Sequence, residues 1–217
     1  MKRYELIVFD WDGTLMDSAA MIVDSVQAAA RDLGVEPPTE QRARHIIGLG
    51  LDAALRYALP DLPEDHYGEL VERYRHHYLS RDHELTLFAG ADDLVRGLSG
   101  SGFRLGVATG KSRRGLDRAL EHTGLGDFFH ATRCADECHS KPHPQMLEEL
   151  MDEFAVAPAQ TLMIGDTTHD LLMARNAGVD ALGVSYGAHP VEALREAAPL
   201  YCADTVEALA NWLAENA

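Results

Sequence analysis

The chain predicts an α/β fold, a doubly wound parallel sheet carrying an all-helical insertion, and three observations predict it. First, the apolar runs Leu6-Ile-Val-Phe9, Phe103-Arg-Leu-Gly-Val-Ala108 and Thr161-Leu-Met-Ile164 are each of strand length. Second, each run ends at a polar position, Asp10, Thr109 and, after Gly165, Asp166, and a helical pattern follows. Strands alternating with helices give a parallel sheet covered on both faces. Third, residues 18–82 carry helical periodicity without a strand signal. Ligands bind beyond the carboxyl ends of such strands, so Asp10, Thr109 and Asp166 are expected to meet at one edge.

The first strand ends in the turn Asp10-Trp-Asp12-Gly13-Thr14. Met21, Ile22, Ser25, Val26, Ala29, Ala30 and Leu33 then recur at three- and four-residue spacing, a helical stripe. Asp17 or Ser18 can cap its start and Gly34 can end it. After the break at Pro37-Pro38, residues 39–47 and 51–59 read as short helices around Gly48 and Gly50, and Pro60 and Pro63 punctuate again. Tyr67, Leu70, Val71, Tyr74 and Tyr78 mark a further helix, and the chain returns near Leu85-Thr-Leu-Phe-Ala-Gly90. Asp180-Ala-Leu-Gly-Val184 reads as another strand. The expected division is a core of residues 1–16 and 84–217 around a helical domain of residues 17–83.

Composition narrows the function classes. The 217 residues carry a formal charge of −16, from 19 basic and 35 acidic residues. That balance argues against nucleic acid or an anionic membrane as partner. No run approaches the roughly 18 apolar residues of a membrane span, and Met1-Lys-Arg3 leads into only a short strand, so a cytoplasmic protein is expected. Cys134, Cys138 and Cys202 are an odd count with no disulfide framework and read as reduced thiols. Cys134, Cys138 and His139 offer part of a zinc set that lacks an evident fourth ligand.

The turn after the first strand carries the chemistry. Two carboxylates there are costly unless a cation or a hydrogen-bond network holds them, which points to magnesium-assisted phosphoryl transfer with Asp10 as nucleophile. Thr109 and Gly110 at a helix start form a candidate anion site, with an ordinary helix cap as the alternative. Lys111 beside them could reach substrate or sit in solvent. Lys141, in a segment stiffened by Pro142 and Pro144, can hold its ammonium between Asp10 and a transferring phosphoryl group. Asp166 and Asp170, four apart, repel unless a cation sits near them. Asp166 is the expected metal ligand, and Asp170 is expected to act behind it on a bound water or on Lys141. His143 reads as a loop histidine, and His169 is expected on the exposed side of its helix.

Asp10-Trp-Asp-Gly-Thr-Leu15, Ala108-Thr-Gly110, Ser140-Lys-Pro142 and Gly165-Asp-Thr-Thr-His-Asp170 resemble, in order, the four motifs of the haloacid dehalogenase superfamily. The chain most resembles the branch with a helical cap after the first motif, such as phosphoglycolate phosphatases. The resemblance implies a Rossmann-like core, Mg2+ as cofactor, and hydrolysis of a small phosphorylated metabolite through an aspartyl-phosphate. It implies Asp12 as general acid and base, with its backbone carbonyl joining Asp10 and Asp166 on the metal. Gly13 would let the turn approach the phosphate, and Thr14 would bond across the turn or touch substrate.

The cap would choose the substrate and close over the site. Arg42, Arg44, His45 and Arg56 are its candidate polar groups, Arg44 and His45 foremost, and the Gly48-Leu-Gly-Leu51 loop is placed to face the pocket. Related sugar phosphomutases carry a basic residue in the corresponding loop, which reads Gly48-Leu-Gly-Leu-Asp52 here. Dehalogenases lack the second aspartate of the first motif, and phosphonate-cleaving relatives need a cap lysine that residues 18–82 do not contain. A phosphomutase and a non-catalytic binding protein are the alternatives to a phosphatase. A monomer or weak dimer is expected, since the cap supplies its own lid.

Overall fold

In the computed structural model, which describes residues 2–217, six strands form one sheet in the order β3-β2-β1-β4-β5-β6. They are β1 (Leu6–Phe9), β2 (Arg104–Thr109), β3 (Ala131–Cys134), β4 (Thr161–Gly165), β5 (Asp180–Val184) and β6 (Tyr201–Ala203). Every pairing is parallel. The chain runs outward from β1 through β2 to β3, then returns to lay β4 on the other side of β1. The connections therefore reverse at β1, which opens a crevice at the carboxyl ends of β1 and β4.

Alternation along the strands splits the core into two layers. Ile7 and Phe9 face one layer with Leu105, Val107 and Ile164, covered by α5 (Ala91–Gly100), α6 (Arg113–Thr123) and α10 (Val206–Asn216). Leu6 and Val8 face the other with Ala108 and Met163, covered by α7 (Gln145–Phe154) and α8 (Thr168–Ala177). Helix α9 (Val191–Glu196) adds Leu194 to that second layer.

Between the bridged pair Met16 and Leu87, ahead of α5, the chain builds helices: α1 (Ala19–Asp32), α2 (Glu40–His45), α3 (Leu51–Ala58) and α4 (Tyr67–Leu79), with short 3-10 turns. They enclose a cluster of their own, in which Val26, Ala29, Leu55 and Leu70 are buried. The two chain crossings meet at a stem: Asp17 N donates to Thr86 O at 3.0 Å and Phe88 N to Leu15 O at 2.9 Å. Among the described residues no helix is long and apolar enough to cross a membrane.

The edge strands β3 and β6 have no counterpart in the sequence reading. β6 is three residues long with Tyr201 exposed, and β3 is half-buried except at Cys134, so neither shows a continuous apolar run. The hydroxyl of Ser18 does not cap α1. It is diverted to the carboxylate of Asp12.

Candidate active site

The register sets the site. Phe9 is level with Val107 of β2 and Ile164 of β4, so the residues that follow, Asp10, Thr109 and Asp166, emerge at one rim. Asp10 N donates to Ile164 O at 2.9 Å, which extends the ladder one residue past the strand.

Lys141 is wedged among the acids. Its Nζ donates to Asp10 Oδ1 and to Asp170 Oδ1, each at 2.6 Å, and all three side chains are fully shielded from solvent. Asp170 sits in the first turn of α8. Its Oδ2 accepts from Thr167 N at 3.1 Å and Thr167 Oγ1 at 2.6 Å, a capping box that fixes the carboxylate. With one oxygen on the cap and the other on Lys141, Asp170 is built to position that lysine. Asp166 precedes the helix rather than sharing a helical face with Asp170. It accepts from Thr14 Oγ1 at 2.9 Å and from Ala188 N at 2.7 Å.

The nest holds more negative charge than the protein offsets. Carboxylate oxygens of Asp10, Asp166 and Asp170 lie within 4.8 Å of one another, facing the single ammonium of Lys141. Asp10 Oδ2 is buried without a hydrogen-bond partner. Burial pushes the Asp10 carboxyl up to about 7, against the pull of Lys141 and with Asp170 adding repulsion. Burial likewise holds Asp166 well above the usual carboxylate range, with Asp10 and Asp170 contributing. Burial alone would lower Lys141, but the two carboxylates overcome it and raise the ammonium's pKa. Three hard oxygen donors, one of them unpartnered, suit a magnesium-like cation.

Asp12 turns away from this nest. Ser18 Oγ donates to its Oδ1 at 2.7 Å, and Lys111 Nζ reaches Oδ1 at 3.0 Å and Oδ2 at 2.9 Å. Lys111 also donates to Tyr78 Oη of α4 at 2.9 Å, so one ammonium ties a core carboxylate to the helical insert. Thr109 is buried, and its Oγ1 accepts from Lys111 N at 3.2 Å. The cap of α6 is Ser112, which accepts from Gly115 N.

Two glycines are explained by what presses on them. A Cβ on Gly13, whose φ is +85°, would sit 2.1 Å from Asp166 Oδ2, so the glycine makes room for the carboxylate. A Cβ on Gly110 would fall 2.5 Å from Leu49 O, so the insert's Gly48–Leu51 loop seats directly on the second motif. Gly50 N donates to Ser140 Oγ at 2.9 Å, beside Lys141.

The foremost cap candidates lie elsewhere. Arg44 pairs with Glu40 at 2.9 Å on the insert's own surface, and Arg56 with Asp52 and Glu64. Neither Arg44 nor His45 lines the cavity that adjoins Asp12. His169 is buried, which corrects the exposed placement: its Nε2 contacts His45 O at 2.7 Å, and His189 Nε2 contacts the same carbonyl at 3.2 Å. Thr168 N donates to His189 Nδ1 at 3.1 Å, which fixes Nε2 as the protonated nitrogen of that neutral ring. Burial lowers both imidazole pKa values, that of His189 to about 4. Two neutral histidines thus clasp the last-turn carbonyl of α2. His143 lies in a loop, as expected, and is exposed, and the three cysteines are free thiols, none of them in a metal-ready cluster among the described residues.

Sequence reasoning missed Tyr78, the turn of Ser18 toward Asp12 and the histidine clasp. The first and last are contacts between elements distant in the chain, and no local pattern announces them.

Residues 7–184 match the family model described as haloacid dehalogenase-like hydrolase. The chain is 37% identical over 206 residues to the probable phosphatase IndB of Dickeya dadantii, covering 92% of this chain and 89% of that protein. It is 30% identical over 217 residues to a phosphoglycolate phosphatase of Vibrio vulnificus, covering 96% and 95%. It is 34% identical over 205 residues to a 5'-nucleotidase of Pseudomonas aeruginosa, covering 93% and 92%. Among solved structures, a haloacid dehalogenase-like hydrolase of Streptococcus pneumoniae superposes with a TM-score of 0.83 at 28% identity, covering 98% of this chain and all of that one.

Proposed function

The chain belongs to the haloacid dehalogenase-like hydrolase family and is a phosphatase of it, and from that premise we propose a magnesium-dependent hydrolysis of a small phosphomonoester through an aspartyl-phosphate on Asp10. The observation that carries the reading is the unpartnered Oδ2 of Asp10, buried where Lys141 and two further carboxylates converge. A nucleophilic carboxylate must be ionised and must be shielded from the anion it attacks.

Asp10 and Asp166, with the backbone carbonyl of Asp12, would hold the cation. When bound, it would neutralise charge on the phosphoryl oxygens and bring the Asp10 carboxyl back below neutrality. Lys141 holds Asp10 in place and offers positive charge beside the transferring group. Thr109 and Gly110, with backbone N–H groups of the loop before α6, form the phosphate seat, and Gly13 keeps the turn close. Asp10 attacks phosphorus in line, the bond to the ester oxygen breaks, and Asp12 gives that oxygen a proton. Asp12 then takes a proton from water, whose oxygen attacks the phosphorus and releases Asp10 and inorganic phosphate. Ser18 and Lys111 hold the Asp12 side chain in place. General acid–base help of this kind is worth about 10²–10⁴-fold in rate.

The deciding measurement is phosphate release from a panel of phosphomonoesters with Mg2+ and with chelator, for the native chain and Asp10→Asn. Magnesium-dependent release that Asp10→Asn abolishes is expected. Release unaffected by that substitution removes Asp10 as nucleophile, and isomerised ester without free phosphate replaces hydrolysis by mutase chemistry.

A further inference from the structure

We propose that the physiological substrate carries a flat, ring-bearing alcohol of nucleoside size, and that the helical insert receives this ring against Tyr74 and Tyr78. The inference rests on the phosphatase reading and deepens it, since the relatives' names divide between a two-carbon acid and a nucleotide.

The insert is seated on the core, not swung away. Tyr78 Oη meets Lys111 Nζ at 2.9 Å, Gly50 N meets Ser140 Oγ at 2.9 Å, and His45 O is held by two core imidazoles. With those contacts made, a cavity of about 1220 Å³ remains between insert and core, and Asp12 lies in its wall. Pockets that bury drug-sized ligands run from about 300 to 1,000 Å³. A two-carbon acid would leave most of this space filled with water against apolar side chains.

The chemistry of the wall is selective as well. Ile22 and Val26 of α1, Leu51 of α3, and Tyr74 and Tyr78 of α4 supply an apolar and aromatic surface. The two tyrosines, one helical turn apart, present stacked rings with centroids 5.8 Å apart and planes 22° apart. Tyr78 ends that shelf at Lys111, beside the proposed proton donor. Lys111 Nζ lies 4.9 Å from the centroid of the Tyr78 ring, so a flat ring received here would meet the tyrosine pair at its remaining surface, chiefly Tyr74, and gain aromatic contact and desolvation together. Four carboxylates and four cationic side chains line the cavity, so it holds no excess of positive charge for a second anionic group. Lys111, the cation nearest the reacting end, is already committed to Asp12. Arg114 and Arg118 also line the cavity, so the comparison with phosphoglycolate, whose carboxylate they could meet, is the discriminating arm of the test.

The test compares kcat/KM for adenosine 5'-monophosphate, ribose 5-phosphate and phosphoglycolate, using phosphate release by the full chain with Mg2+. The first two share a sugar phosphate and differ by the ring. Stacking on an aromatic platform predicts that the ring adds about tenfold or more, chiefly through KM. Tyr74→Leu, which removes the shelf, and Leu51→Trp, which fills the cavity, should each lower the ratio of the first substrate to the second by at least about fivefold. Melting curves verify that each variant folds, and either variant alone suffices. Equal or better turnover of ribose 5-phosphate or phosphoglycolate overturns the proposal, as does a ring preference that survives the substitutions. Phosphate release from none of the three, nor from p-nitrophenyl phosphate, sinks the phosphatase reading itself and this inference with it.

Discussion

Lys141 and its two carboxylates are wholly withdrawn from solvent, whereas Arg44 and its partner Glu40 on the insert are 35% and 68% exposed. Both are lysine- or arginine-to-carboxylate contacts below 3 Å. Their energetics differ because water screens one and not the other. At the rim of the sheet each charge is costly alone and depends on its neighbours, so removing any one disturbs all of them. On the insert the ion pairs are nearly free of consequence, and what the insert supplies is shape. On the proposed reading, chemistry is concentrated in the first region and selection in the second.

The contrast is broken most sharply at Asp10. Asp10→Asn should lower kcat by about 10⁴-fold or more, as loss of a covalent nucleophile does. Retention of activity within tenfold would mean that the rim is no more committed than the insert. Lys141→Met should come next. It leaves Asp10 and Asp170 facing each other without their shared cation, so urea unfolding in chelator should show a loss of about 3 kcal/mol. Part of that loss should return with Mg2+, because the added cation replaces some of the missing charge. No loss in chelator would show that the nest does not depend on its lysine.

The third test uses pH. The folded Asp10 carboxyl, near 7, lies above its ordinary value of 3.8, and Asp166 is raised too. The folded state therefore keeps protons that the unfolded chain gives up. That contribution to stability is full below about pH 4 and is lost as pH rises to 7. His169 and His189, whose pKa values are lowered, shift stability the other way, so metal-free native protein should lose more thermal stability, or gain less, across that window than metal-free Asp10→Asn, in which the histidines are unchanged. Mg2+ competes with those protons, so its stabilising shift in Tm should grow from pH 5 to 8. A shift that is flat with pH would show that the cation binds elsewhere.

Smaller effects probe the seam between the regions. Tyr78→Phe removes the hydroxyl that links Lys111 to the insert and should reduce kcat by about three- to tenfold with little change in Tm. A larger fall in Tm than in kcat would make Tyr78 a packing residue only. Arg44→Ala should change stability by no more than about 0.5 kcal/mol and activity by less than twofold. A large loss there would place function in the exposed face of the insert.

The legibility of the molecule follows the same division. β1, β2, β4 and β5 showed themselves because they are continuous apolar runs ending in Asp10, Thr109, Asp166 and the segment after Val184. β3 and β6 are edge strands, half-exposed and short, and their sequence carries no such run. The Asp170-to-Lys141 link was one of the two roles the sequence left open for Asp170, because acids four apart repel unless a cation sits near them. The placement of His169 was not, because a histidine one residue before Asp170 gives no sign that a carbonyl from another helix lies across from it.

Residue type and order alone determined that carboxylates and a hydroxyl stand at the ends of buried strands and that a lysine sits in a proline-stiffened segment, because apolar runs, their polar stops and prolines are local properties of the chain. Tertiary structure decided which of those groups touch: that Gly13 yields to Asp166, that Lys111 joins Asp12 to Tyr78, and that a wide hollow with both apolar and charged walls survives under a seated insert. Those contacts join residues tens of positions apart, and only the packing of whole elements, not any spacing along the chain, fixes the distances between them.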